Sequence, residues 1–187
     1  VPIGRDGLAS LFCELGFKEG AEIGVETGGY SEVLLRANPG LKLYCVDPWK
    51  AYRGYRDHVD QKKLDHFYGV ASARLEPLGG VIVRKFSMDA VKDFKGGSLD
   101  FVYIDGNHNF SHVAQDIHEW GRKVKSGGIV SGHDYQKFKR PTEVHVMCVV
   151  NGYTYSYGIS PWFLTTSKET VDGVEQHTPK SYFWVKA

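Results

Sequence analysis

Hydrophobic positions along the chain fall into two patterns that alternate. Short apolar runs of strand length occupy 21–25, 41–46, 81–83, 99–104 and 129–132. Between them lie stretches whose apolar residues recur at helical spacing. Tyr30, Val33, Leu34 and Ala37 follow i, i+3, i+4, i+7 and stop at Asn38-Pro39-Gly40, a sequence that ends helices. Leu64, Phe67, Tyr68, Ala71 and Leu75 share one helical face, and Phe110, Val113, Ala114, Ile117 and Trp120 share another. An opening helix runs through Leu8, Leu11, Phe12 and Leu15, a short one covers 89–94, and a helix-like segment covers 143–150. Gly127-Gly128 closes the helix before the fifth strand. Two late β-rich stretches, 160–166 and 182–185, are joined by a polar loop over 171–179 with no helix between them.

Alternating strands and helices predict an α/β fold, a parallel sheet covered on both faces. The last two strands lack a crossover, so they must pair antiparallel. The 187 residues suit one domain, 1–187, rather than two. In such sheets ligands sit beyond the carboxyl ends of the strands, where strand order reverses.

Composition narrows the partners more than the fold. Net charge is +1, so no general attraction to nucleic acid or to a membrane surface is expected. The local group Lys137, Lys139 and Arg140 reads as a solvated loop. Cys13, Cys45 and Cys148 lie far apart without metal spacing, and Cys45 and Cys148 sit in apolar runs as small buried hydrophobes. No apolar run is long enough to cross a bilayer and no signal-peptide pattern opens the chain, so a cytoplasmic location is expected.

The strand ends carry the candidate chemistry. Glu22 and Glu26 flank the first glycine turn, Asp47 ends the second strand, Ser87 and Asp89 follow the third, Asp105 ends the fourth, and His133-Asp134 end the fifth. Each alone could be a turn former or a helix cap. Together they would repel unless cations or hydroxyls neutralise them, which points to a bound ligand. Glu22 interrupts an apolar run, and a cationic ligand group would offset the cost of burying it. Asp47 stands where nucleoside-binding folds place an acid against ribose hydroxyls. The dinucleotide fingerprint, however, needs a glycine where Glu26 stands, and Glu26 would repel a pyrophosphate.

The stretch from Glu22 through Gly24 and Gly28 to Ser31, in the spacing acid-x-Gly-x-x-x-Gly, resembles the first motif of class I S-adenosylmethionine-dependent methyltransferases. Asp105-Gly106-Asn107-His108 and Gly127-Gly128 through Gly132-His133-Asp134-Tyr135 are similar to the DGxH and GG…HDY signatures of a subgroup that includes O-methyltransferases of sugars and other small molecules. The resemblance spans roughly 20–135. It implies a Rossmann-like class I fold, a mostly parallel seven-stranded sheet with a C-terminal antiparallel hairpin, and methyl transfer to a small-molecule or sugar hydroxyl. It also implies that Glu22, Gly24, Gly28 and Ser31 line the methionine part of S-adenosylmethionine. By the same likeness Asp47 holds the ribose, Phe86, Ser87 and Met88 flank the adenine, and Asp105 lies near the methionine end, with Glu26 and Trp49 as further pocket residues.

Several members of that subgroup are metal-assisted. Asp105, His133 and Asp134, from adjacent strand ends, are therefore candidate ligands for Mg²⁺ or Mn²⁺, with His133 alternatively beside the ligands or acting as a base. Such an ion would lower the pKa of the acceptor hydroxyl. His108 is the preferred general base, since its imidazole titrates near neutrality three residues after Asp105; the alternative is a helix-start residue bonding the loop. His112 and His118 are given no role. Acceptor contacts are expected from Tyr52, Arg53, Tyr55 and Arg56, or from Tyr153, Tyr155, Tyr157 and Trp162, and a second subunit could complete an open site. Two other readings remain: a non-catalytic cofactor-binding protein of this fold, and a metal-dependent hydrolase using Asp105, His108, His133 and Asp134.

Overall fold

The computed structural model describes residues 1–53, 60–138, 143–166, 168–171, 174–177 and 179–187. In chain order its elements are α1 (Arg5–Glu14), β1 (Glu19–Ile23), α2 (Gly29–Ala37), β2 (Lys42–Val46), α3 (Gln61–Leu75), β3 (Val81–Val83), α4 (Ser87–Ala90) and β4 (Leu99–Ile104). There follow α5 (Phe110–Gly121), β5 (Val124–Tyr135), α6 (Val146–Ser156), β6 (Phe163–Leu164), β7 (Lys168–Val171), β8 (Val174–His177) and β9 (Lys180–Val185).

Seven strands form one sheet in the order β3-β2-β1-β4-β5-β9-β6. The first five run parallel, and β9 and β6 close the edge antiparallel. This is the Rossmann-like class I methyltransferase arrangement. All six residues of β4 are buried, and from Phe101 onward they divide by strand period. Phe101 and Tyr103 join the cluster with Leu8, Phe12 and Leu34, while Val102 and Ile104 join Ile117, Trp120 and Val150 on the other face. Helices on both faces thus bury an apolar run that shows no alternation of its own. Strand order reverses at β1, which lies between β2 and β4. That reversal opens the crevice in which the candidate site lies.

The structure departs from the sequence expectations in several places. The loop expected at 171–179 carries part of a separate two-stranded sheet, β7 with β8, whose polar residues gave no apolar run. Gly127-Gly128 lies inside β5, beside a register shift against β4, rather than ending α5. The helix expected over 143–150 is displaced to α6. Cys148 is exposed, since α6 buries Val146, Val149 and Val150 instead. Phe110 is also exposed, at the first turn of α5. Lys139, Arg140, Tyr55 and Arg56 lie outside the described residues. No helix among those described is long and apolar enough to cross a membrane.

Candidate active site

A cavity of about 690 Å³ opens at the carboxyl ends of β1, β2 and β4, a volume in the usual range for small-molecule sites. Its floor is the turn after β1. Gly24 has φ +89, and a Cβ there would collide with the Asp105 carbonyl, so only glycine lets the two strand ends approach. Gly28, at φ 80, caps α2. Among the described residues, the non-glycine positions with positive φ are Glu26 (54°), Trp49 (39°) and Asp134 (56°). All three follow or end a strand at this end of the sheet, and backbone strain of this kind collects at ligand sites.

Asp47 holds the turn in shape. Its Oδ2 accepts from the backbone N–H of Val25 (3.0 Å) and Glu26 (3.1 Å), and its Oδ1 accepts from that of Trp49 (2.8 Å). Trp49 Nε1 in turn donates to the Glu26 carbonyl at 2.8 Å. Asp47 still lines the cavity; Oδ2 already takes two donors, whereas Oδ1, with one, keeps a spare lone pair for a ligand. Glu22 also reaches the cavity wall from β1, fully buried, accepting from the Ser31 hydroxyl. Burial drives its carboxyl up to about 8, against the Ser31 bond and the nearby Arg5 charge.

A dense charge cluster stands at the β4 and β5 ends. Arg5 Nη2 meets Asp105 Oδ2 at 2.7 Å, with the guanidinium 4.1 Å from the centre of the Tyr30 ring. His108 Nε2 lies 2.8 Å from Asp134 Oδ2 and 3.5 Å from Asp105 Oδ1. His133 Nδ1 lies 3.8 Å from Asp105 and 3.7 Å from Asp134. Burial alone would raise both carboxyls, yet the His108 bond and the neighbouring positive groups hold each below its ordinary range. Burial would lower His108 too, but the bonds to Asp105 and Asp134 carry it up to about 9. Asp105, His108 and Asp134 offer three donor atoms within 4.8 Å of one another, enough to hold a metal ion. His133 Nε2 is buried without a hydrogen-bond partner among the described residues.

Of the residues singled out from sequence, Glu22, Gly24, Glu26, Asp47, Trp49, Phe86, Ser87, Met88, Asp105 and His108 all line this one cavity. Gly28 and Ser31 stand behind its wall, and His133 and Asp134 join through the charge cluster rather than the lining. Tyr52 lines it as well; Tyr153, Tyr155, Tyr157 and Trp162 do not. Arg5, Lys63, Gln115 and Asp116 are among the lining residues that carried no expectation, and His112, given no role from sequence, lines the cavity as well. Arg5 left no signal in the sequence. Asp116 did leave one, since it falls in the buried helical stripe of Val113, Ile117 and Trp120.

A family model described as "Methyltransferase domain" matches residues 21–135, more than half of the chain, including the cavity floor and all of the charge cluster but Arg5. The chain belongs to this methyltransferase family. Solved structures with the family's fold include an O-methyltransferase from Bacillus cereus in complex with SAH (TM-score 0.67, 14% identity, covering 97% of this chain and 80% of that one). The O-methyltransferase TomG from Streptomyces achromogenes, involved in tomaymycin synthesis and in complex with SAM, is similar (TM-score 0.64, 16% identity, 98% and 79% coverage). A spermidine synthase from Thermotoga maritima shares the fold as well (TM-score 0.63, 13% identity, 98% and 59% coverage). At these identities the likeness is one of fold. Among curated proteins, the phenylalanine–tRNA ligase alpha subunit of Onion yellows phytoplasma (strain OY-M) is 30% identical over 118 residues, 59% of this chain and 33% of that protein. The chain thus spans about a third of that relative's length.

Proposed function

We propose that residues 1–187 form one domain that transfers a methyl group from S-adenosylmethionine to a hydroxyl of a small molecule or sugar. The observation that carries this reading is a buried carboxyl, Glu22, and a His/Asp cluster gathered around a single cavity. Glu22 is a buried carboxyl on the cavity wall without an ion-pair partner among the described residues, which suits an ammonium. Glu26 on the glycine turn disfavours a pyrophosphate, which S-adenosylmethionine lacks. Asp47 and the strained Glu26 and Trp49 then frame the ribose, and Phe86, Ser87 and Met88 the adenine. When bound, this donor supplies an electrophilic methyl group. The chain's part is to align the acceptor with that group and to exclude water.

His108 is the base we assign to the acceptor hydroxyl. Asp105 and Asp134 orient its ring and keep it protonated up to about pH 9. As a free base it therefore works better in mildly alkaline solution, and turnover should rise with pH toward that value. Tyr52, Lys63, Phe67, Asn107, His112 and Gln115 line the remaining cavity and would meet the acceptor. Asn107 Nδ2 donates to the Tyr52 hydroxyl at 3.0 Å, so these two move together as a polar ledge.

A divalent ion is the specific alternative to a free histidine base. Two carboxylates and an imidazole fit a first-row ion such as Mn²⁺ by donor chemistry, and the orphaned His133 Nε2 adds a further nitrogen nearby. Asp105, His108 and Asp134 would hold the ion, with His133 beside them, and it would supply Lewis acidity to the acceptor hydroxyl. Against need for an ion, Arg5 and His108 already place positive charge on these carboxylates.

Calorimetric titration of S-adenosylmethionine tests the donor, and methyl transfer to a panel of hydroxylated small molecules, read by mass spectrometry with and without chelator, tests the rest. Micromolar binding with chelator-resistant transfer supports the histidine base, and transfer restored by Mn²⁺ supports the ion. Absence of binding would overturn the methyl-transfer reading and favour a hydrolase built on the His/Asp cluster.

A further inference from the structure

One polar group on the cavity wall has no part in the reading above. Asp116 is 4% exposed and lies in the buried stripe of α5. Trp120 Nε1 donates to Ser87 Oγ at 2.8 Å, and the Ser87 hydroxyl donates to Asp116 Oδ1. An indole N–H can only donate, so Ser87 Oγ accepts from Trp120, and toward an ionised Asp116 the Ser87 proton is the one that reaches Oδ1. These two bonds set the orientation of Oδ1. Ser87 is the one hydrogen-bond partner of Asp116 among the described residues, so Oδ2 is left without a donor. That oxygen lies beneath the loop after β4, where a Cβ on Gly106 would come within 3.8 Å of it. Gly106, Ser87, Met88 and Asp116 line the same cavity. Among the described residues no cation offsets the carboxyl; burial pushes it up to about 7, with the Ser87 bond acting the other way. Asp116 lines the cavity, so a ligand N–H at this place would find in Oδ2 an acceptor that takes no donor from the described residues.

We propose that Asp116 reads the 6-amino edge of the donor's purine, with Oδ1 fixed by Ser87 and Oδ2 accepting one N–H of the exocyclic amino group. The inference rests on the S-adenosylmethionine reading and deepens it at the adenine end. It makes the site a discriminator at one atom. A 6-amino group presents a donor to Oδ2, whereas a 6-oxo group presents an acceptor and sets two lone pairs face to face. Asp116→Asn keeps the shape. Its Oδ1 still accepts from Ser87, which turns the amide N–H₂ toward the cavity and reverses the preference.

The experiment is calorimetric binding of S-adenosyl-L-homocysteine and S-inosyl-L-homocysteine to the wild-type chain and to Asp116→Asn, above the pH at which Asp116 ionises. The wild type should favour the adenosyl ligand by about tenfold or more, the range for a buried hydrogen bond lost to an unpaired group. Asp116→Asn should erase or invert that ratio. A strut that merely supports α4 would weaken both ligands alike, so an unchanged ratio in the variant overturns the proposal. Equal affinity of the wild type for the two ligands overturns it without any variant. If the wild type binds neither ligand, it is the donor reading itself that falls.

Discussion

Two carboxyl groups that line one cavity behave in opposite ways. Asp105, at the end of β4, is held ionised below its ordinary range, while Asp116, on α5, is pushed up to about 7. Asp116 is buried and Asp105 half-buried, so desolvation acts on both in the same direction. The difference is counter-charge. Asp105 has Arg5 at 2.7 Å and His108 and His133 within 3.8 Å, whereas Asp116 has a serine hydroxyl. The β4–β5 end is therefore a fixed arrangement of charges able to hold a charged ligand group and move a proton. The α4–α5 end is a nearly neutral wall with one directional acceptor, which suits a nucleobase. Burial sets the cost at each end, and the neighbours decide whether the group answers it by pairing or by keeping its proton.

The hardest test of this contrast is to remove the anion from the charged end. Asp105→Ala leaves Arg5 facing Tyr30 and Tyr103 without its carboxylate and takes one of the two acids from His108. Turnover should fall by about 10²–10⁴-fold, the usual contribution of proton handling at a positioned group. Steady-state methyl transfer under saturating donor checks it. Retention of more than about a tenth of wild-type turnover would move the chemistry away from this end.

The neutral end should reveal itself in stability rather than rate. An unfolded Asp116 loses its proton near its ordinary value of 3.8, and the folded one near 7. Below both values each state keeps its proton and the group adds no pH dependence. Between them the folded state binds more protons, so stability falls as pH rises, and above about 7 the full cost is present and constant. For a group this buried the cost is of the order of a few kcal/mol. Asp116→Asn cannot ionise. Its melting temperature should gain on the wild type by several degrees between acid and neutral pH, as followed by circular dichroism. A gap that stays constant across that window would show that Asp116 is not the neutral group described.

What could be read from sequence, and what could not, divides along the same line. The strand ends were legible because each polar residue interrupts or ends an apolar run: Glu22 in β1, Asp47 after β2, Asp105 after β4. Their convergence follows from strand order alone. Arg5 was not legible. It is one cation in the opening helix, and its meeting with Asp105, 100 residues away, depends on how α1 packs against α2 and over Tyr30. Asp116 was half legible. Val113, Asp116, Ile117 and Trp120 keep the i, i+3, i+4, i+7 spacing, so a carboxyl stood in a buried stripe, whereas the aromatic Phe110 drew attention to a position that is exposed. The strained backbone at Glu26 and Trp49 left no trace, since neither residue type favours positive φ. The β7–β8 hairpin was hidden because alternation needs an apolar face to show.

Glu22 sharpens the comparison because it belongs to the charged end yet behaves like Asp116. Burial raises it to about 8 even though Arg5 is close enough to oppose the shift, since Arg5 is already committed to Asp105. In the empty cavity near neutral pH Glu22 is thus mostly protonated, with the Ser31 hydroxyl against it. An arriving ammonium favours the ionised form, so binding should expel up to about one proton per donor molecule. Affinity should rise as pH rises toward 8 and level off above it, because the proton no longer has to be displaced. Calorimetry of S-adenosylmethionine in buffers of different ionisation enthalpy counts the protons directly. Glu22→Gln should release fewer and weaken binding by about tenfold, the scale of one charge-assisted hydrogen bond. If wild type and variant release the same number, the ammonium is held elsewhere, and the buried carboxyl of β1 is a neutral partner of Ser31 that the ligand never charges.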